Sequence, residues 1–81
     1  MRSNLRFHNS SHFSQRMQDR AISSEDAKAV IRSADEEIIL RPGVHGGKLM
    51  KFIKTVDGKK LVVIAELKNN ECWIATVFYE N

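Results

Sequence analysis

Residues 49–67 read LMKFIKTVDGKKLVVIAEL, two apolar-rich runs divided by Asp57-Gly58. Both runs are too short for amphipathic helices and are rich in Ile, Val, Leu and Phe, so each reads as a strand. Asp-Gly supplies the residues that tolerate positive φ in a two-residue hairpin turn, which joins the runs as antiparallel neighbours. The second run, about Lys60 to Leu67, is apolar at nearly every position; such a strand has cover on both faces and belongs at the centre of a sheet. The first, about Leu49 to Val56, alternates unevenly, with Lys51 and Lys54 on different faces, so part of the sheet surface away from the helices is expected to be basic and open.

Working outward, a further strand is expected over about Glu37 to Arg41, stopped by Pro42 and Gly43, and another over about Cys72 to Tyr79 after the turn residues Asn69-Asn70. Upstream the texture is helical. Ser10 and Ser11 precede Phe13 and Met17 at four-residue spacing, which predicts a helix from about Ser11 to Arg20. Ser23 to Asp26 has the Ser-x-x-acid form of a helix start, and Ala27, Val30, Ile31 and Ala34 then repeat at i, i+3, i+4 and i+7. This second helix should end near Ser33 or Ala34. Residues 1–10 read as an N-terminal arm that pairs at a sheet edge. The expectation is an α+β domain spanning residues 1–81: two N-terminal helices packed on a four-stranded antiparallel sheet.

Composition narrows the function classes. The 81 residues are 42% hydrophobic and 28% charged, with a formal net charge of +3, which suits one modest globular core rather than a disordered tail. No apolar run approaches the length of a membrane span, and the N-terminus lacks the order of a secretory signal, so the expected location is cytoplasmic. One cysteine, Cys72, allows no internal disulfide and argues against a structural zinc site. Base gathers at Lys48, Lys51, Lys54, Lys59 and Lys60, a distribution that suits a polyanion partner without requiring one.

His12, Arg16 and Arg20 recur at i, i+4 and i+8, on one face of the first expected helix. They are either a solvated stripe beside the anchoring Phe13 and Met17, or groups aimed at a phosphate. Against the first reading, three basic groups in register repel one another. The second suits metal-free phosphodiester cleavage, in which a ribose 2′-hydroxyl attacks its own phosphorus: a histidine moves the proton, and guanidinium forks meet the charge on the phosphoryl oxygens. Neither a cofactor nor a metal is expected.

The glycine-rich stretch RPGVHGGK, residues 41–48, lacks the spacing of a nucleotide-hydrolase phosphate loop. It is either a plain loop between strands or a place where backbone N–H groups, His45 and Lys48 touch a nucleic-acid backbone. Lys51 would hold flanking phosphates. On the last strand, a regular alternation sets Trp73, Ala75, Val77 and Tyr79 on one side and Ile74, Thr76 and Phe78 on the other. Thr76 needs a hydrogen-bond partner if buried, from the core or from substrate, and Tyr79 offers a stacking surface or a phenolic proton.

The series His12, Arg16, Arg20-x-Ile22, a capped second helix, a glycine-containing loop and a terminal strand with Thr76 before an aromatic resembles a family of small bacterial domains of unknown function. That family is similar to the RelE-like ribonuclease toxins, grouped with the barnase, EndoU, colicin and RelE fold. The resemblance covers roughly residues 11–80. It implies a RelE-like domain acting as a metal-independent endoribonuclease, a toxin held by an antitoxin or immunity protein. It also implies catalytic roles for His12, Arg16, Arg20 and Thr76. The family's aromatic follows the threonine by two positions, where this chain has Phe78, so Tyr79 stands one place beyond the pattern. The alternative expectation is a non-catalytic RNA-binding or protein-interaction module on the same fold.

Overall fold

The computed structural model describes residues 5–9 and 22–80. In chain order the elements are β1 (Arg6–Asn9), α1 (Ser24–Arg32), β2 (Glu36–Pro42), β3 (Lys48–Val56), β4 (Lys59–Lys68) and β5 (Glu71–Glu80). The strands form one sheet in the order β1-β5-β4-β3-β2. β2 to β5 make an antiparallel meander, while β1 lies parallel to β5.

This corrects the expected architecture of two helices on a four-stranded antiparallel sheet. Strand accounts for 62% of the described residues, in one five-stranded mixed sheet with a single helix among them. The expected helix over Ser11 to Arg20 lies outside the described residues. The fifth strand is the arm: only four residues long, it is too brief to show a period of its own, and it gains order by pairing Phe7 with Cys72 and His8 with Trp73 across β5.

Local chemistry explains the remaining elements. Ser23 caps α1, its hydroxyl accepting from the Asp26 N–H at 3.1 Å, and Glu25 and Asp26 occupy the first turn, where the helix dipole favours acid. Asp57 and Gly58 both have positive φ, 52° and 78°, as a tight hairpin between β3 and β4 needs, and Asn69 does the same at φ 55° before β5. β4 is the central strand, with Leu61, Val62, Val63, Ala65 and Glu66 all buried.

α1 covers one face of the sheet, where Ala27, Val30 and Ile31 meet Phe52, Val63, Ala65, Ile74 and Val77 in the main core. Phe7 shares this side, with Lys28 and Arg32 of α1 each 5.4 Å from its ring centroid. A second correction concerns β5. The register slips between Ile64 and Ala65, which face Thr76 and Ile74, so Ala75 is the extra residue of a bulge. The bulge reverses the alternation: Ile74 and Val77 are both buried toward α1, and Trp73, Thr76 and Phe78 share the other face. None of the described helices is long and apolar enough to cross a membrane.

Candidate functional site

Glu66 is the one charged residue of the buried set among the described residues, 3% exposed. A carboxylate in that position needs donors, and the segment between β2 and β3 supplies them. The His45 N–H donates to Glu66 Oε2 at 2.9 Å and the Gly47 N–H at 2.7 Å. Burial pushes the Glu66 carboxyl up, but the N–H groups of Gly47, His45 and Val44, together with the nearby His45 imidazole, outweigh it and hold the group below its ordinary value. The glycines are what permit this clamp. A Cβ on Gly43 would overlap the Glu66 carboxylate, and one on Gly47 would overlap the Leu67 carbonyl oxygen. The loop closes on itself through Gly43 N–H to Gly47 O at 2.9 Å, and Lys68 Nζ donates to His45 O at 3.2 Å.

Holding the loop in this way lays His45 against Trp73, the residue opposite Glu66 on β5. The imidazole and indole stack with centroids 4.2 Å apart and planes 10° apart. From the other flank of β5, His8 of β1 stacks on the same indole at 5.1 Å and 14°, and its Nε2 lies 3.1 Å from Glu71 Oε1. Two imidazoles, one from β1 and one from the loop between β2 and β3, therefore meet on one tryptophan. They border a cleft of about 860 Å³ whose walls include Arg41, Val44, Leu49 and Ala75.

Of the residues singled out in the sequence, His45 lines this cleft. Thr76 lies on the same face of β5, its Oγ1 buried without a hydrogen-bond partner. Lys51 also takes the cleft-side register, but its Nζ is 3.2 Å from Glu80 Oε2. Lys48 and Tyr79 are not part of the group: strand alternation puts Lys48 on the same side as Phe52 and Tyr79 on the same side as Val77, toward α1, with Lys59 Nζ 5.7 Å from the Tyr79 ring centroid. His12, Arg16 and Arg20 lie outside the described residues. Sequence reasoning did not single out His8, Arg41, Glu66 or Trp73 as site residues. For Glu66 a signal existed, a lone acid inside the run LVVIAEL; for His8 there was none. Among the described residues, no three His, Cys, Asp or Glu side chains group closely enough to hold a metal ion.

No curated protein and no solved structure matches the chain. A family described as a domain of unknown function (DUF4258) matches residues 9–79, which takes in all of the site except His8. The match reaches no further than that description and makes no link to RelE-like ribonucleases. The tryptophan cleft and its glutamate-clamped loop are thus features of a chain that belongs to the DUF4258 family of domains of unknown function.

Proposed function

We infer that the chain is a metal-independent endoribonuclease that draws single-stranded RNA into the cleft beside Trp73. The observation that carries this reading is the indole stacked with His8 and His45 in a cleft walled by Arg41. The aromatic wall that these three rings make favours unpaired bases, and guanidinium groups favour phosphate. In the reaction the ribose 2′-hydroxyl attacks phosphorus, the P–O5′ bond breaks, one proton leaves the 2′-oxygen and one is delivered to the 5′-oxygen. His12 serves as general acid or base, Arg16 and Arg20 meet the phosphoryl oxygens, and Thr76, on the cleft-side face of β5, positions the substrate. His45 and Lys51 contact flanking nucleotides. Such an enzyme acts as a cytoplasmic toxin, with an antitoxin or immunity protein as its partner.

The test is incubation of the purified chain with RNA in EDTA, beside a His12→Ala variant. Cleavage by the parent and not by the variant supports the reading, as does growth arrest on expression that the substitution relieves. Equal products from both remove it. A second reading, RNA binding without chemistry, is favoured by the ion pair of Lys51 with Glu80 and the hydrogen bond between His8 and Glu71, since side chains held by their neighbours suit a fixed binding surface. It predicts affinity that falls steeply with salt and no cleavage, whereas a protein-interaction module would show little salt dependence.

A further inference from the structure

Among the described residues, β2 stands at the edge of the sheet with β3 as its only neighbour strand, and all seven of its residues are exposed. Its middle is apolar: Ile38 is 44%, Ile39 58% and Leu40 45% exposed. Natural edge strands are usually blunted by lysines, inward charges or early prolines. β2 contains no lysine, and its proline, Pro42, is the last residue of the strand.

The arrangement of charge along β2 specifies what such an edge accepts. The register with β3 slips between Ile39 and Arg41, so Leu40 is a bulge residue, and Glu36, Ile38 and Arg41 share the face away from α1. Acid therefore begins this row, base ends it, and an isoleucine sits midway. An antiparallel copy of the row, turned about a two-fold axis through Ile38, sets Ile38 on Ile38 and Glu36 against Arg41 at both ends. Directly opposed residues then lie on the same face, as antiparallel pairing requires. Pro42, which has no N–H to give, falls just outside the paired stretch.

We propose that β2 pairs with β2 of a second copy of this chain, joining two five-stranded sheets edge to edge in an isologous dimer. The interface shares Arg41 with the wall of the indole cleft, but it rests on the edge strand and not on the indole or its histidines, so sedimentation reads it separately from RNA cleavage. The two-fold axis repeats the Glu36–Arg41 contact, so a single charge reversal installs two like-charge contacts at once.

Sedimentation velocity on the full chain across micromolar to submillimolar concentration tests the proposal, with circular dichroism to confirm that each variant folds. The parent chain is expected to sediment as a dimer. Glu36→Arg alone and Arg41→Glu alone should each weaken self-association by roughly tenfold or more. An equimolar mixture of these two single variants should dimerise again, because one presents only base at the row ends and the other only acid. The double variant Glu36→Arg/Arg41→Glu should also dimerise. A monomeric parent at the highest concentration overturns the proposal. So does a dimer that survives either single reversal, or folded single variants that stay monomeric when mixed; the first of these outcomes would point to a different surface.

Discussion

Replacing Gly47 by alanine tests the clamp that sets the cleft. The Gly47 N–H donates to Glu66 Oε2 at 2.7 Å, and an added Cβ would overlap the Leu67 carbonyl oxygen, with the Lys68 Cβ 2.8 Å away. Leu67 belongs to the central strand, paired on both sides with Lys48 and Cys72, so it cannot retreat and the loop must lift instead. Overpacking of this kind costs about 1–3 kcal/mol. For a domain of this size each kcal/mol moves Tm by roughly 4–8 °C, which predicts a fall of about 4–24 °C in thermal unfolding followed by circular dichroism. Lifting the loop also takes His45 off the indole. Trp73 is the sole tryptophan, so its emission reports the change directly. Gly58→Ala is the control: its Cβ meets nothing within 4 Å, and the substitution costs only the strain of a positive φ of 78°, about 1–2 kcal/mol, with Trp73 emission unaltered. A Gly47→Ala protein that melts with the parent, or keeps the parent's Trp73 emission, would refute the argument.

Three further outcomes follow from the same geometry. The Glu66 carboxyl is held below its ordinary value of 4.5 in the folded chain, so it adds stability at pH above that value which is lost as pH falls through the lowered one; Glu66→Gln should flatten the acid limb of a stability-versus-pH curve measured by urea unfolding, and an unchanged limb would count against the clamp. Ile31→Ala, at a fully buried position where α1 meets the sheet, should destabilise by about 2–5 kcal/mol in the same assay. Thr76→Val removes a hydroxyl that has no partner, and should leave stability unchanged or raise it by up to about 1 kcal/mol; if the hydroxyl positions RNA, cleavage falls while stability does not, and a loss of stability would instead reveal a structural role.

The meander was legible because its signals are local. Asp57-Gly58 and Asn69-Asn70 each lie between short apolar-rich runs, and Ser23 with Asp26 announces α1. β1 was legible only as an arm, since nothing within Arg6–Asn9 says that its partner is β5 or that the pairing is parallel. The β5 bulge was hidden for a related reason: WIATVF alternates cleanly as written, and only the register against Ile64 and Ala65 reveals that Ala75 is extra. A regular alternation puts Trp73 on the side of Val77 and so conceals its place in the cleft.

What the sequence determined by itself was the set of hairpins, the helix with its cap, and the centrality of LVVIAEL, because turn chemistry and hydrophobic period act between residues a few places apart. What the tertiary structure alone decided was the meeting of His8, His45 and Trp73, and the burial of Glu66 beneath the glycine loop. Those contacts join residues 19 to 65 places apart. Their geometry depends on strand order, on one bulge, and on a carboxylate finding its donors only when β2 and β3 have already come together.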